Sequence, residues 1–444
     1  MAYISKIKTN KQELEIGGKN FNGSWTMKTY AVCSNYTLAG SGQVVYDISS
    51  YLPNDGYDYE IYLMATGNCP ASAGKTASVY LYSGASTSDY DFTLGAIGAA
   101  LSRHSVMQEF AQSGVLPVKS NRKKIVIYNG HANDASGVYV YLKGYRRIGK
   151  NGTKTNYISK INTKDGNIAI GGNNFDGSWV KKNLAICTST SIANGGSASY
   201  NISSYLPNDN DTYEVMVCGW GETGTTSNKS VRFKITSDTD NYIAGVRATN
   251  GATMPCGGSC IIFLKGSTNT ITINNSGSQT GTFTCYFRGY RKVGANNDSK
   301  QYLASVNANN SLIEFGGNNF DGQWVRKSFS YEWTSLTNAT SYQVSLSSYL
   351  PNDGYAYEIQ AYGWIQTSTT SGQGAELYVG TDLAYNIMLC RVRTRASSTG
   401  FTAGGTKIYT GGNSRTINVW SSFGHNTGQG KLWLYGYRRL GTNT

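Results

Sequence analysis

The sequence predicts an all-β fold of three tandem antiparallel β-sandwich, jelly-roll-like domains at residues 1–150, 151–296 and 297–444. A repeat, a composition and a hydropathy pattern predict it. The heptapeptide Ser-Ser-Tyr-Leu-Pro-Asn-Asp begins at Ser49, Ser203 and Ser347. The copies stand 154 and 144 residues apart (203 − 49 and 347 − 203), which divides the 444 residues into three units of ordinary domain size. The 53 Gly and 34 Tyr, against 39% hydrophobic and 15% charged residues, favour pleated sheets joined by turns. Aromatics pack well on sheets, and Gly, Asn, Ser and Thr fill tight connections. Short period-two segments, with turn signals about every ten residues, argue for a sandwich over a parallel sheet. A propeller would need a period of about 40–50 residues, which the sequence lacks.

Each unit opens with two short alternating segments, in the first Tyr3–Ile7 and Leu14–Gly18. A turn follows: Gly17-Gly18-Lys19-Asn20-Phe21-Asn22-Gly23-Ser24-Trp25, with counterparts ending at Trp179 and Trp324. Asn-Gly or Asp-Gly between two aromatics is a turn signal, and the flanking Phe and Trp are expected to pack as a pair. Trp25, Trp179 and Trp324 therefore read as core pins, the functional alternative being sugar-stacking platforms. Next come the half-buried strands Val44–Ile48, Ala198–Ile202 and Tyr342–Leu346, which lead into the heptapeptide.

In the heptapeptide Tyr-Leu anchors the chain, Pro53, Pro207 and Pro351 stop strand pairing, and Asn-Asp, followed by Gly56 and Gly354, makes a corner. Central strands begin at Tyr59, Tyr213 and Tyr357. Variable loops follow, such as 221–226 and 367–372, and recognition is expected there. Ser102–Gln112 has the only helical character, and it accounts for extra length in the first unit. Further strands at 124–128, 270–273 and 416–420 precede long closing strands, which carry Tyr145-Arg146-Arg147, Tyr290-Arg291-Lys292 and Tyr437-Arg438-Arg439. The links 150–156 and 295–301 are short and polar, so neighbouring units sit close.

The formal net charge of +13 favours anionic contacts, and solubility or assembly electrostatics is the preferred reading of it over a dedicated polyanion site. No basic run exceeds Arg122-Lys123-Lys124 and no nucleic-acid motif is present, so no nucleic-acid partner is expected. Met1–Lys8 has no apolar leader-like core and no window is apolar enough to span a bilayer, which predicts neither a secretory leader nor membrane insertion. Of eight cysteines only Cys33 and Cys187 match between units, so reduced, buried thiols are expected, including Cys256 and Cys260 in a free-thiol loop.

Few reactive groups recur. His104, His131 and His425 occupy no shared position, and the acidic turns around Asp55 and Asp209 thin out at Asp353, so no metal, cofactor or catalytic residue is expected and the chain reads as a non-enzyme. The recurring carboxylates Glu60, Glu214 and Glu358 are expected to face the closing-strand arginines, with Asp55, Asp209 and Asp353 capping turns. A glycosidase-like pair is the alternative. Each closing pair is expected to brace a carboxylate with one member and leave the other solvated. The candidate binding residues are Trp220 and Trp364, beside the variable loops, with Arg147 and Arg439. Trp25, Trp179, Trp324, Pro53, Pro207, Pro351, Tyr145, Tyr290 and Tyr437 are the repeat anchors.

The Tyr-Ile-Ser-Lys-Ile opening, the Gly-Gly-Asn-Asn-Phe-Asp-Gly-Ser-Trp turn, the Ser-Ser-Tyr-Leu-Pro-Asn-Asp corner and the Gly-Tyr-Arg-Arg-Ile-Gly ending together resemble repeat modules of tailed-bacteriophage virion proteins, of head-fibre, tail-fibre or decoration type. The resemblance covers all three units. It implies assembly in the bacterial cytoplasm, display on the virion surface, and capsid, collar or tail proteins as partners. Host-surface or mucosal glycan is the contact expected of the loops. The chain lacks a coiled-coil or β-helical shaft, which favours a compact appendage over a slender stem. A pseudo-threefold monomer and a homotrimer are both open. A free lectin-like protein and a glycan hydrolase are the alternative functions.

Overall fold

A computed structural model describes residues 4–8, 13–18, 22–23, 25–69, 75–102, 108–148, 158–162, 167–172, 176–177, 179–207, 211–237, 240–248, 253–265, 269–293, 305–307, 312–314, 321–322, 324–334, 341–367, 374–380, 387–393, 401–410, 415–420 and 427–440. Among them the chain is all-β and its strand pairs are antiparallel, with one short 3-10 turn at Ser49–Tyr51.

The first unit contributes β1 (Ile4–Lys8), β2 (Glu13–Gly18), β3 (Thr26–Leu38), β4 (Gln43–Asp47), β5 (Asp58–Cys69), β6 (Lys75–Gly84), β7 (Tyr90–Ser102), β8 (Gln108–Val118), β9 (Lys124–Asn129) and β10 (Ala135–Ile148). In the second are β11 (Ile158–Asn162), β12 (Asn167–Gly172), β13 (Val180–Ile192), β14 (Ser197–Asn201), β15 (Thr212–Thr223), β16 (Ser230–Thr236), β17 (Asp240–Arg247), β18 (Pro255–Lys265), β19 (Thr270–Asn275) and β20 (Gly281–Val293). The third has β21 (Ser305–Asn307), β22 (Leu312–Glu314), β23 (Val325–Trp333), β24 (Ser341–Ser345), β25 (Tyr357–Thr367), β26 (Gly374–Gly380), β27 (Ile387–Arg393), β28 (Phe401–Thr410), β29 (Thr416–Trp420) and β30 (Thr427–Arg439).

Each unit opens with a two-stranded hairpin and then repeats one pairing order. In the first unit the order is β3-β10-β5-β8 and β4-β9-β6-β7, and in the second β13-β20-β15-β18 and β14-β19-β16-β17. The third has β23-β30-β25-β28 and β24-β29-β26-β27. The pairing of Val246 with Thr402 joins a sheet of the second unit to one of the third, giving eight strands. Three separate apolar cores fill the units, around Ile61 and Ile127, Val215 and Phe233, and Ile359 and Val419. Strand alternation places these residues on the face toward their own core, while the other face of the central strands β5, β15 and β25 is buried as well.

The corner is built as its residues dictate. Leu52, Leu206 and Leu350 are buried while Pro53, Pro207 and Pro351 are exposed, so leucine holds the corner and proline ends the pairing at its surface. Asp55 accepts the Tyr57 N–H at 3.2 Å and the Tyr59 hydroxyl at 2.5 Å, and Asp353 repeats this with Tyr355 and Tyr357 at 3.1 and 2.5 Å. Gly56 and Gly354 sit at φ +76° and +77°, with nothing within 4 Å of where a Cβ would stand, so backbone conformation alone requires glycine. Tyr145, Tyr290 and Tyr437 meet Tyr59, Tyr213 and Tyr357 edge-on at 5.7, 5.6 and 5.5 Å.

Two expectations are corrected. The described part of Ser102–Gln112 is strand, since β8 pairs with β5 from Cys69–Gln108 to Tyr59–Val118 and this hydrogen-bonded ladder overrides a weak local helix preference. Residues 103–107, with His104, lie outside the described residues, as do His425 and the links 150–156 and 295–301. The first unit's added length includes β7, at 13 residues against 8 in β17. Cys256 and Cys260 lie on β18, not in a loop, and both thiols are free and buried because residues four apart on a strand share the core face.

Candidate functional site: a buried charge ring between the units

The closing strand pairs with the central strand in a register that places Arg146 opposite Glu60, Arg291 opposite Glu214 and Arg438 opposite Glu358. All six side chains are buried, the arginines at 1%, 0% and 0% exposure. A fully buried arginine is tolerated only when paired. Each guanidinium Nε donates to its own unit's glutamate, at 2.7, 2.7 and 2.6 Å.

The remaining guanidinium nitrogens reach carboxylates of other units, and those of Arg291 and Arg438 also meet the turn aspartate of their own unit. Arg146 Nη1 reaches Asp321 at 2.9 Å and Nη2 lies 3.6 Å from Glu358. Arg291 approaches Glu60 at 3.2 Å, while Arg438 Nη1 donates to Asp176 at 2.9 Å and Nη2 lies 3.3 Å from Asp321. Asp176 and Asp321 come from the Asp-Gly turns. Those turns are docked on the closing strands by Gly177 N–H to Lys292 O and Gly322 N–H to Arg439 O, both 2.7 Å, as Gly23 N–H is to Arg147 O at 2.8 Å.

The tryptophans after these turns close the ring. Trp179 donates its indole N–H to Glu60 at 2.7 Å, Trp324 to Glu214 at 3.4 Å and Trp25 to Glu358 at 3.2 Å, so each indole serves the glutamate of another unit. Trp324 stacks on Phe263 with centroids 3.9 Å apart, and Trp25 on Tyr409 at 4.3 Å. The reading of these tryptophans as pins of their own cores is thereby corrected. A half-buried indole carries an N–H that must find an acceptor, and the nearest charged acceptor belongs to the next unit. Phe21, Phe175 and Phe320, their expected partners, lie outside the described residues.

Two positions break the repetition. Asn22 stands where the other turns have Asp, and donates to Asp176 at 3.1 Å. Lys407, opposite Gln360, occupies the place of Val115 and Ile261, opposite Tyr62 and Met216. Its ammonium donates to Glu214 at 2.5 Å and lies 3.7 Å from Glu358. Five carboxylates (Glu60, Glu214, Glu358, Asp176, Asp321) therefore face four cations (Arg146, Arg291, Arg438, Lys407), with Asn22 and three indoles as neutral donors.

The electrostatics follow. Burial opposes ionisation of Glu214, but Arg291, Lys407 and Arg438 outweigh it and hold its carboxyl well below the usual range. Glu60, Glu358 and Asp176 are likewise depressed by arginines against the cost of burial. The cavity beside the ring, lined by Leu94, Val115, Met216, Ile261 and Lys407 among others, has a volume of about 10 Å³, room for about one water and none for a sugar. Among the described residues no group of three or more His, Cys, Asp and Glu is placed to hold a metal ion, and no helix is long and apolar enough to cross a membrane.

The expected binding residues are dispersed. Trp220 is half-buried and stacks on Tyr286 at 5.4 Å. Trp364 is only 9% exposed, in a seam with Tyr242, Tyr362 and Phe401 that joins the second and third units, so it is no open stacking platform. The Arg147 guanidinium lies 4.6 Å from the Tyr57 ring and that of Arg439 4.5 Å from the Tyr355 ring, the second being buried. The expectation of one solvated basic residue per pair is corrected for Arg439: its planar cation stacks on the corner tyrosine. Lys407 and the cross-unit aspartates were missed. A lysine where the other repeats carry Val and Ile was the available signal.

No family model matches the chain, and no curated protein matches it. The chain is similar, at 9% identity and a TM-score of 0.18, to a structure of Sulfolobus turreted icosahedral virus, over 96% of this chain and 92% of that one. A tandem CBM22 domain of Paenibacillus barcinonensis Xyn10C is similar at 10% identity and 0.18, over 58% and 98%. A structure of infectious bursal disease virus, Gx strain, is similar at 9% identity and 0.16, over 94% and 81%. At such TM-scores these likenesses carry no argument.

Proposed function

We propose that this chain is a non-enzymatic accessory protein of a tailed-bacteriophage virion, attached to the particle and presenting variable loops to host-surface or mucosal glycan. In this reading residues 1–150, 151–296 and 297–444 are three jelly-roll sandwiches that close as a pseudo-trimer within one chain. The repeated sheet order is that of an eight-stranded jelly roll. One observation supports the proposal: the recurring Glu60, Glu214 and Glu358 and the arginines Arg146, Arg291 and Arg438 are consumed by the ring that joins the units, which leaves no repeated reactive constellation among the described residues. An enzyme would hold such groups at an open cleft beside a substrate.

Immunogold labelling of purified particles with antibody against the chain tests the assignment. Label at a fixed place on intact virions is the expected result, and label confined to the soluble fraction of the lysate would sink it in favour of a free lectin. The isolated chain is expected to leave capsular polysaccharide uncleaved.

A further inference from the structure

We propose that the seam where the second and third units meet, backed by Trp364 and Phe401 and edged by Arg232 and Arg247, binds an acidic saccharide through its oxyanion. Val231 and Phe233 are buried in the second core, so Arg232 between them points outward. Val246 packs on that core and Ala248 is buried, which turns Arg247 out as well. The register Arg232–Gly245 and Ser230–Arg247 makes the two arginines diagonal neighbours on one sheet face.

The Arg232 guanidinium lies 4.5 Å from the Phe401 ring and 5.2 Å from Trp364, and Arg247 Nη2 donates to Gln366 Oε1 at 3.3 Å. Among the described residues no carboxylate pairs with Arg232; the Tyr242 hydroxyl is its polar neighbour, and its buried Nε finds no hydrogen-bond acceptor. This is the reverse of Arg146, Arg291 and Arg438, each of which meets several carboxylates. Burial disfavours both cations, and the two stand close enough for Arg232 to disfavour Arg247 further, so an anion from outside relieves Arg232 and screens it from its neighbour. Two neighbouring planar forks suit the bidentate geometry of a carboxylate or sulfate, and stacked aromatics hold them in place. The choice of a saccharide as carrier rests on the glycan-contact reading above. The oxyanion site itself rests on the arginines.

The test is calorimetric titration of the full chain with a hexasaccharide of alternating glucuronic acid and N-acetylglucosamine, with maltohexaose and with inorganic phosphate. The acidic hexasaccharide is expected to bind, and the double variant R232Q/R247Q to weaken it by about tenfold or more. Lys124→Gln, at the exposed first residue of β9 in the first unit, is expected to leave it unchanged. Equal binding by the double variant, equal binding of maltohexaose, or no saturable heat overturns the proposal. Phosphate binding as tight as the hexasaccharide overturns the saccharide. Should the double variant not fold, phenylglyoxal modification of the wild-type chain decides, since the hexasaccharide must protect Arg232 and Arg247. Failure here leaves the particle location, tested on virions, untouched.

Discussion

Arg438 and Asp176, 262 residues apart in sequence, share a buried hydrogen bond of 2.9 Å, and through it the last strand of the chain is fixed to a turn of the second unit. The same guanidinium holds Glu358 of its own unit. Arg438→Lys keeps the charge and loses the fork, so it is expected to destabilise the chain by about 3 kcal/mol, the scale of a broken buried pair. Guanidinium chloride unfolding checks this, and a change of under about 1 kcal/mol would show the ring to be slack.

Lys407 is the fourth cation against five carboxylates, so its loss is expected to exceed that of an ordinary lysine. Lys407→Met should cost about 3 kcal/mol, whereas Lys124→Met on the surface should stay within about 0.5 kcal/mol. The two unfolding midpoints measured side by side decide it.

The pH dependence has a definite sign. Glu60, Glu214, Glu358 and Asp176 are depressed in the folded state, so the unfolded chain binds more protons in acid. Their contribution is complete above the unfolded carboxyl range of about 4 to 4.5 and is lost as pH falls below it toward the folded values. Melting temperature should fall steeply below about pH 4 and lie nearly flat from 5 to 7. A profile without an acid limb would contradict the ionised ring.

Trp179→Phe keeps an aromatic ring and removes the donor to Glu60. The expected cost is about 1–3 kcal/mol, the penalty of an unmet buried acceptor. A neutral result by denaturant titration would mean that Arg146 and Arg291 satisfy Glu60 alone.

Gly56→Ala should cost roughly 1–2 kcal/mol, because an L side chain resists φ +76°. Gly56→Asn should cost less, and the second unit already carries Asn210 at the matching place. Equal losses in thermal melts would assign the cost to something other than the backbone.

Much of this was legible in the sequence, and for a physical reason. The corner and the Glu60–Arg146 type of contact are made by neighbours in a turn or a ladder, and a repeat displays the residues that make them three times. Which unit supplies a partner is not displayed, since a threefold repetition reads the same whether Trp179 serves Glu214 or Glu60. That choice depends on how the units face each other. The loops expected to carry recognition could be read only as variable, and 368–373 lie outside the described residues.

Trp25 finds its acceptor on Glu358, 333 residues further along. At about 5–20 residues per second of synthesis, the first indole waits roughly 15 to 70 seconds for its partner to leave the ribosome. Throughout that interval a nascent chain offers an open arc whose missing third can come from itself or from a neighbour on the same messenger. Sparsely loaded messengers and fast elongation should therefore favour single closed chains, and crowded polysomes should yield interlocked pairs.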